Sequence, residues 1–166
     1  PYTDGKPQSR HAVLAISPQG GGGLEIWQYT GRTPQPPAFE VQLGDLGLAI
    51  NKFKSRDVQA TYDFLKGKDV DLIGAPAKAT NGALHFYCKD PYGNIIEVVG
   101  SNDWFAKTQQ LTGGVYGAVI GVSNIERSLE VYRDILGYDE VVYDESGQFD
   151  DFAGIPGGNH SFRRVL

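Results

Sequence analysis

The sequence predicts an α+β protein built from repeated βαβββ units that pair into a curved mixed sheet. Three observations carry this. His11–Gly31 and Ala83–Ser101 each read as an apolar strand, a tight turn and a second apolar strand. Leu46–Gly74 and Val115–Asp144 each read as strand, helix, strand. The chain has 166 residues and is 40% hydrophobic, enough for a real core.

Taken in order, residues 1–34 form the closing hairpin of a first unit, with the turn Ser17-Pro18-Gln19-Gly20-Gly21. Thr30–Phe39 holds three prolines and reads as an extended connector. Residues 45–100 form a complete second unit. In its helix, Val58, Tyr62 and Leu65 share one face; Ser55 or Asp57 can cap it and Gly67 ends it. Its hairpin turns at Lys89-Asp90-Pro91-Tyr92-Gly93. Residues 101–114 read as a linker with a short helix and a flexible joint at Gly113-Gly114. Residues 115–166 give the front of a third unit. There Ile125, Leu129, Tyr132 and Leu136 predict a buried helical stripe, Ser123 with Glu126 a capping box, and Gly137 a stop. The next strand is expected at Asp139–Asp144, and Ser161–Leu166 reads as a third strand.

Composition narrows the function classes. The net charge is −5 and no Lys/Arg cluster occurs, so no nucleic-acid face is expected; the pair Arg163-Arg164 is too short to make one. No apolar run is long enough for a membrane span. The single cysteine, Cys88, reads as a small core residue and fits a cytoplasmic, reducing setting. Gly20–Gly23 joins two strands and lacks the ending of a phosphate loop.

One residue is out of place. Glu97 interrupts the apolar run Ile95, Ile96, Val98, Val99, and a buried carboxylate is costly unless something pairs with it. Aligning the two hairpins without gaps puts Glu25 on Glu97, a period of 72 residues.

The tandem unit, with Phe86, Tyr87, Asp90, Pro91, Gly93, Asn94 and Glu97 in its hairpin, resembles the vicinal oxygen chelate superfamily of glyoxalases, bleomycin-resistance proteins and extradiol dioxygenases. The helix around Tyr132, Arg133, Leu136 and Gly137 is similar to that family's first helix. The resemblance implies two units facing each other around a cup, with a divalent metal (Fe, Mn, Zn, Ni or Co) held by first-strand and last-strand residues. It implies Glu25 and Glu97 as metal ligands, and Glu97 as the catalytic glutamate of a lyase or ring-cleaving dioxygenase acting on a vicinal-oxygen small molecule.

The first strand departs from that pattern. Its ligand position falls on Leu48 or Ile50 in the second unit and near Gly117 in the third, and none of these can bind a metal. A metal-free small-molecule-binding protein is therefore the alternative, and a degenerate structural half is the third reading. For a bound ligand, Asn51, Lys52, His85, Tyr87 and Trp27 are the candidate contacts, with one of Asn51 and Lys52 pointing into the cup. Lys52 beside the two glutamates would substitute for a metal. His11 and His160 read as packing and surface residues. Pairing of units one with two, and three with a fourth, is expected. Unpaired sheet edges predict a homodimer or association with missing units.

Overall fold

A computed structural model describes residues 5–166; the first four residues of the expected unit-one segment lie outside them. The main body is a five-stranded mixed sheet in the order β4-β5-β6-β3-β7. Its strands are β3 (Gly47–Ser55), β4 (Asp71–Lys78), β5 (Leu84–Lys89), β6 (Ile95–Gly100) and β7 (Thr112–Gly121). Helix α1 (Val58–Lys66) crosses between β3 and β4. Of the two expected caps, Asp57 is the one used, accepting from the Ala60 N–H at 2.9 Å, while Ser55 Oγ pairs with Thr61 Oγ1 in the interior.

The β5–β6 turn shows why its residue types recur. Asp90 accepts hydrogen bonds from the backbone N–H groups of Tyr92 and Asn94 and from the Asn94 side chain, at 2.7–2.9 Å. Gly93 sits at φ +85°, where a side chain is strained. The motif therefore fixes the hairpin register, and with it the position of Glu97.

The sheet has two apolar faces. Against α1 pack Val58, Phe86, Cys88 and Val98, with Tyr62, Leu65, Val70, Leu72 and Ile96 around them. Each fully buried side chain of this size contributes about 1.5–3 kcal/mol. The opposite face carries Ile50 and Tyr87, and is covered by Leu43, Phe149, Phe152, Ile155 and Phe162. This second set is where the expected cup lies, and most of its cover comes from the third unit.

The third unit differs from its sequence reading. Asn124, not Ser123, caps its helix, accepting from the Arg127 N–H at 3.0 Å. The helix is α-helical only over α2 (Ile125–Leu129) and widens to a π-helix over Glu130–Ile135. The expected stripe is not buried: Ile125 and Leu129 are half-buried, Tyr132 and Leu136 exposed. The strand expected at Asp139–Asp144 begins at the end of that stretch. It is β8 (Asp144–Gly147), paired with β9 (Phe162–Val165) in a separate antiparallel hairpin. A 3-10 turn, Asp150–Phe152, lies between them.

Unit pairing also differs. Strand β7 of the third unit runs antiparallel to β3, so the second and third units share one sheet. The first-unit hairpin, β1 (Arg10–Ile16) with β2 (Gly23–Tyr29), forms its own two-stranded sheet with both faces largely exposed. The linker holds no helix, and its glycines are a packed contact. Gln19 is buried: its side chain donates to the Thr112 and Gln110 carbonyls and accepts from Thr108 Oγ1. A Cβ on Gly20 would lie 2.0 Å from the Gly113 carbonyl oxygen.

Candidate functional site

One row of residues crosses the whole main sheet. Ile73 is opposite Tyr87, Tyr87 opposite Glu97, Glu97 opposite Lys52, and Lys52 opposite Gly117. Because the side chains of paired strands share a face, Tyr87, Glu97 and Lys52 all turn to the third-unit side. His85 joins them from two residues before Tyr87 on β5.

Glu97 is 1% exposed and Lys52 6%. The Lys52 ammonium lies 3.1 Å from Glu97 Oε2, within ion-pair range, although Oε2 accepts no well-aligned hydrogen bond among the described residues. His85, also buried, places Nδ1 2.8 Å from Oε1. Burial works to raise the Glu97 carboxyl; the His85 hydrogen bond and the Lys52 charge outweigh it and hold the group below its ordinary range. Glu97 is thus an ionised acceptor at neutral pH, and His85 Nδ1 carries the proton between them. Tyr87 is stacked edge-on to His85, with ring centroids 5.1 Å apart, and its buried hydroxyl has no partner among the described residues. Burial first, and the Glu97 charge second, push its phenol well above the ordinary range, so it stays neutral.

The third unit extends the network. His85 Nε2 lies 3.9 Å from Asp151 Oδ2, and Arg164 Nη1 donates to that same oxygen at 2.8 Å. The Arg164 guanidinium rests 4.3 Å from the centre of the Phe152 ring. A crevice between the units is lined by Lys52, Asn81, Glu97, Tyr116, Tyr143 and Arg164, among others. Its free space is about 10 Å³, room for one water.

The structure sorts the sequence candidates. Lys52, His85, Tyr87 and Glu97 come together. Asn51 does not join them: alternation along β3 turns it to the opposite face, and of the pair it is Lys52 that enters. Glu25 and Trp27 lie on exposed β2, in a different sheet; Glu25 is opposite Leu14, and Trp27 stacks under Arg10 at 3.8 Å. The pairing of Glu25 with Glu97 is therefore not formed among the described residues, because the first-unit hairpin does not join the main sheet. His11 and His160 are exposed. Cys88 is buried on the α1 side, and burial pushes its thiol up to about 11.

Asp151, Arg164, Tyr116 and Tyr143 were not anticipated. Arg164 had a readable signal: in Phe162–Val165 alternate residues face opposite ways, so one arginine of the pair must turn inward. Arg163 faces out and pairs with Asp144 and Glu126. Asp151 had none, since its position depends on a 3-10 turn.

The side chains around Glu97 do not fit a divalent metal. A metal bound to the Glu97 carboxylate would sit about 2.0–2.2 Å from an oxygen, close to the Lys52 ammonium, which lies 3.1 Å from Oε2 and repels a second cation. The position on β3 opposite Glu97 is Lys52 itself, rather than Leu48 or Ile50, and Gly117 beyond it offers no donor. His85 Nδ1 is protonated toward Glu97, and Asp151 is taken by Arg164. Among the described residues, no group of three His, Cys, Asp or Glu side chains could hold a metal.

The arrangement defines a class: an α+β protein in which two βαβββ-derived units share a mixed sheet and meet over a buried polar site. The profile of the Glyoxalase/Bleomycin resistance protein/Dioxygenase superfamily matches residues 3–98, and the chain belongs to that superfamily. Among solved structures it is similar to the crystal structure of a "putative dioxygenase" from Bacillus subtilis subsp. subtilis str. 168, at 15% identity and a TM-score of 0.55. That match covers 89% of this chain and 49% of the other, so this chain spans about half the length of its structural neighbour. No curated protein matches the sequence. No helix among the described residues is long and apolar enough to cross a membrane.

Proposed function

We propose that this chain is a metal-independent, small-molecule-binding member of the superfamily, with its ligand site in the crevice between the second and third units. The observation that carries this reading is the Lys52 ammonium 3.1 Å from the Glu97 carboxylate, opposite it on the neighbouring strand. A carboxylate buried in a sheet needs a cation, and here a side chain supplies it. The lyase and ring-cleaving dioxygenase readings both require a metal to polarise the substrate, and this donor set does not favour one.

The crevice lining suits a small aromatic ligand. Tyr116 and Tyr143 supply aromatic surface, Asn81 an amide, and Arg164 a planar cation that lies 5.4 Å from the centre of the Tyr143 ring. As it stands the crevice admits about one water. A ligand therefore enters when β9 lifts and Arg164 leaves Asp151. Four residue pairs join β9 to β8, and Leu166 extends the contact to the Val142 and Tyr143 backbone, so lifting β9 opens a short hairpin rather than the main sheet.

A thermal-shift screen of small aromatic molecules, with and without added Mn²⁺ or Zn²⁺, tests this. The expected result is a hit that raises the melting temperature without metal and loses its effect in Tyr116→Ala. Hits that require metal, or no hit across a broad aromatic panel, would overturn the reading.

A further inference from the structure

We propose that two copies of this chain pair reciprocally, the first-unit hairpin of each laying one apolar face on the third-unit helix of the other.

The repeat selects the hairpin face. Glu25 is opposite Leu14 on β1–β2, as Glu97 is opposite Tyr87 on β5–β6. The neighbouring pairs Val13–Ile26 and Ala15–Leu24 therefore match Phe86–Val98 and Cys88–Ile96. In the second unit those positions pack against α1. In the first-unit hairpin they are uncovered, with Val13 61% and Ile26 56% exposed. A lone two-stranded sheet is marginally stable in water, and an exposed apolar face on it marks a contact surface.

The third-unit helix carries the matching stripe. Counted from the caps Asp57 and Asn124, its Ile125, Leu129 and Tyr132 stand where Val58, Tyr62 and Leu65 stand on α1. The α1 residues cover the second-unit hairpin. On the third-unit helix the stripe runs out into the exposed Tyr132 and Leu136. A groove of about 510 Å³ borders it, lined by Leu46, Val122, Val131 and Tyr132 among others.

One chain carries both surfaces and covers neither. The tip of its hairpin is tied to the start of β7: Gln19 bonds the Thr112 carbonyl, and the Val115 N–H donates to the Gly21 carbonyl at 3.1 Å. The helix follows the other end of β7, ten residues and about 33 Å away. A second copy has no such tether. Each copy offers one hairpin and one helix, so the exchange closes as a two-fold dimer. The exposed apolar side chains amount to about 600–700 Å² per contact and about 1,200–1,400 Å² for two, against about 1,200–2,000 Å² in stable interfaces.

Sedimentation of the chain, with folding followed by circular dichroism, compares wild type with Ile26→Asp, Leu136→Asp and Leu14→Asp, the last on the opposite hairpin face. The expected result is a dimer for wild type and Leu14→Asp, and a monomer for the other two. In a second measurement Ile26→Cys and Leu136→Cys are mixed and oxidised; Cys88, the one native cysteine, is buried. A disulfide-linked dimer is expected from the mixture and from neither variant alone. A monomeric wild type would overturn the proposal, and so would a dimer that survives both Ile26→Asp and Leu136→Asp. Where those variants fail to fold, absence of the cross-link in the mixture overturns it. A chain bearing both cysteines that links only within itself would assign the hairpin to its own helix, and would overturn it too.

Discussion

Lys52 and Glu97 stand opposite each other on the parallel strands β3 and β6, their charged atoms 3.1 Å apart and almost fully buried. The pair explains how an apolar strand tolerates a carboxylate. Hydrogen bonding from His85 and the charge of Lys52 offset the desolvation of Glu97, and Arg164 does the same for Asp151 one step further out.

Lys52→Met leaves Glu97 without its cation and should destabilise the protein by about 3–5 kcal/mol, the cost of breaking a buried ion pair from one side. Adding Glu97→Gln should recover much of that loss, because both charges are then gone. Urea denaturation of the two single variants and the double variant checks this. A Lys52→Met cost under about 1 kcal/mol would mean that the ammonium does not support the carboxylate.

Stability should fall in acid through Glu97. Its folded carboxyl is held below the ordinary value of 4.5. The unfolded state therefore binds the proton first, and the stabilisation is complete above that value and lost as pH drops through the depressed folded one. Glu97→Gln should flatten this limb of the stability–pH curve. An unchanged acid limb in the variant would assign the loss to other groups.

Gly20→Ala should open the contact between the first-unit hairpin and the linker. The added methyl would sit 2.0 Å from the Gly113 carbonyl oxygen, so backbone must shift. Amide exchange should quicken around Gln19 and at Phe105 and Ala106, whose N–H groups bond the Gln19 carbonyl. Gly117→Ala, where the methyl would meet open space, is the matched control and should leave those amides unchanged.

Much of the second unit was legible in the sequence because its determinants are local. Asp90, Gly93 and Asn94 set a turn, the turn sets the register, and the register brings Glu97 beside Tyr87 and Lys52. What failed to read depends on distant contacts. The repeat gave Glu25 the same hairpin position as Glu97, but a repeat does not say which sheet a hairpin joins. The apolar spacing of Tyr132 and Leu136 predicts a buried face only where a partner covers it, and among the described residues both are exposed. The inward turn of Arg164 and the approach of Asp151 to His85 follow from how β8 and β9 fold over the second unit, a long-range choice that no local pattern records.

The most direct test of the account is the metal content of the purified protein, wild type beside Glu97→Ala, after growth with Mn, Fe, Ni and Zn all supplied. The account predicts far less than one equivalent of any of them in both proteins, since Lys52 already neutralises the carboxylate. Near-stoichiometric metal in wild type that disappears in Glu97→Ala would contradict it.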